Sequence, residues 1–205
     1  MKRWSLLPLG LGLLACGGSL PLSAPPQADA PFQDRVLAYR GLRPLSLHET
    51  HVTYVSGSIP VGATRRTDYL QLANGRRVYD PADLLPAVEA NSPTGVAIRE
   101  NQSLRENGRL FGGIGLGCVA LGTGVMFYPV ADQLANPNES FKTTPLLIGG
   151  GLLLAGTILV LIATGHYADA NDAKATAFET FDGSLQQRLN VCVDNNRLVP
   201  CNQPR

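Results

Sequence analysis

The sequence predicts an α+β membrane protein built on a two-helix transmembrane hairpin. Residues 110–130 carry no charged side chain and have about the 20-residue length with which a helix crosses a bilayer. Residues 145–165 are also uncharged and are more strongly apolar. Because only a short polar segment separates them, the two spans should pack antiparallel, with both outer ends on one side of the membrane. Two buried core helices are the alternative, but a 205-residue chain with few other apolar segments could hardly cover them on every face.

The composition agrees with apolar helices joined by irregular connectors. Charged residues make up 16% of the chain, against roughly 25% in an average soluble protein, and the chain contains 22 glycines and 15 prolines. The formal net charge is +1, so neither a basic field for nucleic acid nor an acidic tail is present. Nucleic acid is therefore not an expected partner.

The N-terminus has the layout of a signal peptide over residues 1–15. Lys2 and Arg3 precede an apolar run that is too short to span a membrane stably. The run ends in Leu13-Leu14-Ala15-Cys16, which resembles the lipobox of bacterial lipoprotein precursors. The resemblance implies cleavage before Cys16, a diacylglyceryl group on its sulfur and an acylated new N-terminus, with palmitate among the chains.

Lipidation would anchor the mature chain firmly, because each buried methylene contributes about 0.8 kcal/mol. The alternative is an ordinary secretory signal followed by a chance cysteine. Gly17 rather than aspartate follows Cys16, a pattern that in enterobacterial lipoproteins favours the outer membrane.

The segment after the signal divides into a tether and a small β-rich region. Residues 16–44 form a Pro/Ala-rich tether, and residues 45–91 carry β-branched and aromatic runs. One strand is predicted at 51–55, and a hairpin at 67–79 around a type I′ turn at Asn74-Gly75. A short helix should begin at Asp80-Pro81. So few strands should pack on helices or on a partner.

Residues 92–182 should extend the two spans into longer antiparallel helices, since Ser92-Pro93 repeats the cap-then-proline start. The antiparallel arrangement would bring Arg105 near Asp169 or Asp172. One helix face carries three apolar residues that could cover the β-rich region, namely Phe178, Phe181 and Leu185.

Both spans are rich in small residues at four-residue spacing, which lets helix backbones approach closely in lipid. The pairs are Gly113 with Gly117, Ala120 with Gly124, and Gly151 with Ala155. These residues could drive self-association into a ring, or they could pack one span on the other within a chain. The pattern loosely resembles Gly-zipper lipoproteins of the bacterial envelope, although the strict GxxxGxxxG repeat is missing.

The four cysteines divide by position. Cys16 is the lipidation candidate, and Cys118 inside the first span should be a small apolar packing residue. Cys192 and Cys201, in a C-terminal hairpin at 183–205, flank a turn at Asn195-Asn196 and should form a disulfide in an exported protein.

These signals together place the termini on the periplasmic side of a bacterial cell envelope. A cleaved signal exports the mature chain, two spans return it to the same side, and the cysteine pair needs that oxidising compartment. Arg99, Arg105 and Arg109 beside the first span oppose this orientation under the positive-inside rule. The export signal and the cysteine pair, which agree independently, outweigh them.

Catalytic chemistry is not indicated. His48 and His51 are three residues apart in a predicted strand, so they point to opposite faces and should not share a metal. The acidic residues Asp169, Asp172, Glu179 and Asp182 fit a solvated helix face better than a calcium site, since they lack EF-hand spacing. No cofactor is expected.

The sequence therefore favours a non-enzymatic envelope lipoprotein with a structural or protein-interaction role. Its expected partners are membrane lipid and an envelope protein or a second copy of itself. The first alternative is a pore or ring subunit formed by the glycine-rich hairpin. The second is a metal-dependent enzyme that uses His48 or His51.

Overall fold

The computed structural model describes residues 21–56, 59–135 and 143–201, with side chains in these ranges apart from those of 51–65. The predicted signal at 1–15, Cys16 and residues 136–142 of the polar segment between the spans lie outside the described residues. The rest forms an α+β fold in which two long antiparallel helices carry two small antiparallel sheets. In chain order the elements are α1 (Phe32–Leu42), β1 (Pro44–Ser56), β2 (Ile59–Leu72), β3 (Arg77–Val78), a 3-10 helix (Pro81–Ala87), α2 (Pro93–Ala135), α3 (Thr144–Leu189), β4 (Val191–Asp194) and β5 (Arg197–Pro200).

The two long helices confirm the predicted helical hairpin. They are 43 and 46 residues long, and each continues without a break from its apolar segment into a polar one. The N-terminus of α2 has the predicted cap, because the Ser92 hydroxyl accepts a hydrogen bond from the Gly95 N–H at 3.1 Å. By length and composition both helices are apolar enough to cross a membrane. We call residues 108–130 and 145–166 the stem, and residues 21–107 and 167–201 the head.

The larger sheet has the order β1-β2-β3, with antiparallel neighbours throughout. The strand predicted at 51–55 extends from Pro44 to Ser56 and pairs along its length with β2, so the ribbon is longer than the sequence pattern indicated. At its base, Leu70, Leu72 and Val78 are buried against the helices. This packing provides the support that so small a sheet needs.

The turn between β2 and β3 differs from the predicted type I′ turn. Only Gly75, at φ 84°, has a positive φ there, whereas a type I′ turn needs two such residues. Leu72 accepts from the Gly75 N–H at 2.9 Å and donates its own N–H to the Arg76 carbonyl at 2.8 Å. The Asn74 side chain accepts from the Arg76 N–H at 3.0 Å. The connection is therefore a three-residue loop closed by glycine.

Helix α1 lies within the range predicted as tether. The apolar pattern did not indicate it, because its two buried residues are Arg35 and Tyr39 rather than aliphatic side chains. The Arg35 guanidinium donates to the carbonyls of Leu189 at 2.7 Å and Asn190 at 3.1 Å. These bonds satisfy carbonyls that the end of α3 leaves without an intrahelical partner. Leu22, upstream of α1, is also buried and donates its N–H to Asp83.

The head has one hydrophobic core, and α3 contributes its centre. Phe178, Phe181 and Leu185 face the sheet and the 3-10 helix, as their spacing predicted. Burying each large apolar side chain contributes about 1.5–3 kcal/mol. The other core residues are Leu22, Tyr39, Leu70, Leu72, Val78, Leu84, Ala87, Val88, Ala97, Ile98, Ala177, Leu189 and Val191.

The C-terminal hairpin follows α3 directly. Asn195 and Asn196 have φ values of 48° and 62°, the two positive angles of a type I′ turn. The predicted disulfide between Cys192 and Cys201 is confirmed, with Cα atoms 4.9 Å apart.

Candidate interaction surfaces

A buried stripe of small residues at seven-residue spacing holds the two long helices together. The buried residues at this spacing are Asn101, Gly108, Gly115, Gly122 and Pro129 in α2, and Gly149, Gly156, Ala163, Ala170, Ala177 and Ser184 in α3. A Cβ added to Gly156 would lie 2.7 Å from the Gly115 carbonyl oxygen, and one added to Gly149 would lie 2.7 Å from that of Gly122. The helix backbones therefore contact each other directly through the stem.

The same stripe becomes polar where it enters the head. The Asn101 side-chain amide donates to the Ala170 carbonyl, and the Thr94 hydroxyl donates to the Ser184 hydroxyl at 2.9 Å. Asn101, Thr94 and Ser184 are all buried. These bonds fix the register of the two helices at the end where the core is assembled.

The small residues at four-residue spacing lie on the other side of the stem. Gly113, Gly117, Ala120, Gly124, Gly151 and Ala155 are all exposed. A Cβ added to any of the four glycines among them would meet no atom within 4 Å. The alternative in which these six residues pack one span on the other within a chain is therefore wrong. The contact between the helices uses the buried stripe at seven-residue spacing. This spacing is present in the sequence, but the many other glycines of both spans make it hard to recognise.

The outer surface of the stem is apolar. In the most apolar 18-residue stretches, 11% of the residues of α2 and 17% of those of α3 are buried. Leu116 is 64% exposed, Phe127 66% and Leu154 70%. Other large apolar side chains on this surface are Leu110, Ile114, Leu121, Tyr128, Val130, Leu147, Ile148, Ile158, Leu161 and Ile162. A core helix of a soluble protein would have most of such a surface covered.

The threonines on the outer face of the stem bond to their own helices. The hydroxyl of Thr123 donates to the Val119 carbonyl at 2.7 Å, and that of Thr157 to the Leu153 carbonyl at 2.8 Å. Each hydroxyl proton is thus used without water, as an apolar solvent requires. Cys118, a free thiol in α2, is partly buried on the stem.

Where the stem meets the head, Arg105 does not pair with Asp169 or Asp172 as predicted. Its guanidinium lies 3.5 Å from the Asp80 carboxylate. The register brings the start of the 3-10 helix against this face of α2, so the arginine pairs with Asp80. With side-chain exposures of 36% and 49%, the pair contributes at most about 1 kcal/mol.

Lys174, like Arg35, is a buried cation of the head. Its ammonium group donates to the Asp68 carbonyl at 3.1 Å and lies 5.6 Å from the centre of the Phe178 ring. Burial, followed by repulsion from Arg105, lowers the pKa of Lys174. Lys174 therefore links α3 to β2 and is not free to meet a ligand.

The histidines do not converge on a common site where they are described. The His48 ring stacks on the cross-strand Tyr69 at 4.2 Å, and His166 stacks on Phe111 at 5.5 Å, while the His51 side chain lies outside the described residues. Within residues 21–56, 59–135 and 143–201, no three His, Cys, Asp or Glu side chains group as metal ligands would.

One member of the predicted acidic face, Asp182, is partly buried and hydrogen-bonded within the head. The Tyr39 hydroxyl donates to the Asp182 carboxylate at 2.9 Å, and the Gln186 amide donates to that carboxylate at 2.7 Å and to the Tyr39 oxygen at 3.1 Å. Burial and the neighbouring Asp182 carboxylate raise the pKa of Tyr39. These bonds position α1 on α3.

Between α1 and the C-terminal hairpin lies a groove with a volume of about 1130 Å³. Its basic residues are Arg40, Arg43 and Arg197, and its apolar lining includes Leu37 and Val193. No sequence pattern predicts this groove, because the groove depends on α1. The signal that could have indicated it is the pair of arginines three residues apart in an otherwise irregular segment.

Comparisons with protein-family models, with curated proteins and with solved structures find no match to this chain.

Proposed function

We propose that the chain is a membrane-anchored lipoprotein of the bacterial envelope, with a non-enzymatic structural or protein-interaction role. The observation that carries the proposal is the reversal of surface chemistry along α2 and α3. In the stem, large apolar side chains such as Leu116 and Leu154 point outward. In the head, the same helices turn large apolar residues such as Phe181 inward. This reversal supports lipid around the stem and water around the head.

The position of Leu22 supports a lipid anchor on Cys16. The Leu22 N–H donates to the Asp83 carbonyl at 3.1 Å. Asp80, three residues before Asp83, pairs with Arg105 just outside the stem. Six extended residues reach at most about 20 Å. A lipid on Cys16 could therefore enter the same membrane surface from which the stem emerges.

The disulfide supports a periplasmic head. Such bonds persist in oxidising compartments and are rare in the cytosol. The Cys192–Cys201 bond lies in the head, beyond the end of α3. The N-terminal part of α2 and the C-terminal part of α3 both lie in the head. A head on the periplasmic side is therefore consistent with both the export signal and the disulfide. Gly17 after the lipidated cysteine favours the outer membrane.

Membrane extraction and lipid labelling test the two anchors separately. We expect the wild-type chain to stay in the membrane fraction after alkaline carbonate treatment. The triple variant Cys16→Ala, Leu154→Arg and Leu161→Arg lacks both anchors, so carbonate should release it. Cys16→Ala alone should abolish incorporation of labelled palmitate but leave the stem inserted. Leu45→Arg is the control, because Leu45 is exposed in the head. Release of the wild-type chain by carbonate would contradict the proposal.

A second candidate function is a ring or pore subunit. It is favoured by the exposed small residues of the stem, among them Gly113, Gly117 and Gly151, which the intrachain contact leaves unused. Such faces let helices of neighbouring chains approach closely in lipid. Native mass in mild detergent tests it: a defined oligomer lost in Gly117→Leu but kept in Gly165→Leu supports the ring, and a wild-type monomer contradicts it.

A further inference from the structure

The groove of the head is a preformed concavity between two fixed walls. One wall is α1, which Arg35 ties to the end of α3 and Tyr39 ties to Asp182. The other wall is the β4–β5 hairpin, closed by the Cys192–Cys201 disulfide. Since each wall has its own attachment to the core, the groove keeps its shape without an occupant, which lowers the entropy cost of binding.

The groove combines exposed arginines with uncovered apolar side chains. The guanidinium groups of Arg40, Arg43 and Arg197 make no hydrogen bond or ion pair to residues that the structure describes. Asp194 is the cross-strand neighbour of Arg197, yet the two form no ion pair. Leu37 is 65% exposed in the same lining. Planar guanidinium groups bind carboxylates in bidentate geometry, and the leucine offers a contact for an apolar side chain.

The groove is too far along α3 to meet the headgroups of the membrane in which the stem would lie. Helix α3 rises about 1.5 Å per residue, which puts Asp182 about 25 Å beyond Gly165. Tyr39 of the groove is bonded to Asp182. This separation along α3 favours a protein partner over an anionic lipid of that membrane. At about 1130 Å³ the groove is also larger than a single small anion needs.

We infer that this groove binds an acidic peptide segment of a partner protein, in which carboxylates alternate with apolar side chains. The inference rests on the proposed protein-interaction role of the head and adds the chemistry of the partner. The arginines would bind the carboxylates, and Leu37 and Val193 would contact the apolar side chains between them. Charge complementarity of this kind gives association that weakens as salt rises.

The test uses the full chain in nanodiscs of zwitterionic lipid. The probe is a fluorescent peptide of about ten residues, which spans about 33 Å when extended, with glutamate and leucine in alternation. A matched peptide carries glutamine for glutamate. Fluorescence anisotropy at about 50 mM and about 300 mM salt should show binding of the glutamate peptide that weakens with salt. The glutamine peptide should bind at least about tenfold more weakly.

Variants locate the binding. Each of Arg40→Gln, Arg43→Gln and Arg197→Gln should weaken binding of the glutamate peptide by about three- to tenfold, because each removes one charge-assisted contact. Arg99→Gln is the matched control, an exposed arginine of α2 outside the groove. Leu37→Ser should weaken binding of both peptides, since it removes apolar contact and leaves the charges.

Three results would overturn the inference. They are equal affinity for the two peptides, unchanged affinity in the three groove variants, and binding to phosphatidylglycerol vesicles that depends on the same arginines while the peptide does not bind. Carbonate extraction of each variant reports membrane insertion independently. A chain that inserts normally but binds no acidic peptide refutes this inference alone, whereas a chain that fails to insert refutes the proposed membrane anchor.

Discussion

The stem and the head are built on the same two helices but pack by opposite rules. In the stem, glycines such as Gly115 and Gly156 face each other and large apolar residues point outward. In the head, Phe178 and Phe181 are buried and the exposed positions are largely polar. The reversal occurs within a few residues of Arg105 in α2 and His166 in α3.

With the stem in lipid, as we propose, different forces would hold the two regions. Water drives large apolar side chains together, so the head is stabilised by the area that it buries. In lipid that force is absent between helices, and close contact of backbones contributes through dispersion instead. Substitution of an inward residue should therefore destabilise the two regions in opposite ways. In the head, a smaller residue leaves a cavity, whereas in the stem, a larger residue causes a steric clash.

The largest expected effect is in the head core. Phe181→Ala should lower the free energy of unfolding of the head by about 3–5 kcal/mol, since it removes a fully buried ring. Guanidinium unfolding in mild detergent, followed by near-ultraviolet circular dichroism, measures the loss. The stem should remain membrane-inserted by carbonate extraction. Loss of insertion together with the head would show that the two regions do not behave independently.

The disulfide should have the next largest effect, also confined to the head. The bond joins residues nine apart, so replacing Cys192 and Cys201 with serine should lower the free energy of unfolding by about 2–3 kcal/mol. Addition of reductant should destabilise the wild-type head by a similar amount and leave the double serine variant unchanged. If reductant acts equally on both proteins, the bond is not the source of the stability.

In the stem, adding a single methyl group should be harmful only on the inward side. In Gly156→Ala the new Cβ would lie 2.7 Å from the Gly115 carbonyl and 2.8 Å from the Val119 amide nitrogen, both in backbone that cannot turn aside. We expect a loss of about 1–3 kcal/mol, typical of overpacking. Gly151→Ala is the matched control, since its Cβ meets nothing within 4 Å.

Denaturation of the helical signal in increasing dodecyl sulfate compares these two variants. Equal stability of Gly156→Ala and Gly151→Ala would contradict the close backbone contact at Gly156.

Much of the fold could be predicted where the spacing of apolar and polar residues along the chain stays regular over many positions. The two spans, the cap at Ser92, the core face of Phe181 and the cysteine pair all follow from local spacing. The inward stripe of the stem was missed, because glycine carries no polarity and both faces of the stem contain it.

The groove could not be predicted for a different reason. Helix α1 buries Arg35 and Tyr39, whose polar ends bond to the distant residues Leu189 and Asp182. Those partners are about 150 residues away in the chain, and no local period records them. The pairing of Arg105 with Asp80 was missed similarly, since it depends on where the 3-10 helix docks.

The smallest expected effect tests whether the α1 attachment is part of the head's stability. The pKa of Tyr39 is raised above its ordinary value of 10.0 by burial and by Asp182. As pH rises past that value, the unfolded chain loses the phenolic proton before the folded chain does. Tyr39 therefore contributes stability that is fully present below pH 10.0 and is lost as pH rises through the raised pKa.

Tyr39→Phe isolates this contribution. At neutral pH it should lower the free energy of unfolding by about 0.5–1.5 kcal/mol, through the lost hydrogen bond to Asp182. The gap between wild type and variant should then narrow above pH 10.0, because only the wild type has this phenol to deprotonate. The lowered pKa of Lys174 affects both proteins alike and cancels in the difference. When Asp182→Asn is present in both proteins, the stability gap caused by Tyr39→Phe should narrow less above pH 10.0, since one cause of the raised pKa of Tyr39 is removed. Parallel stability curves for wild type and Tyr39→Phe across this range would show that the Tyr39–Asp182 contact does not hold α1 to the head.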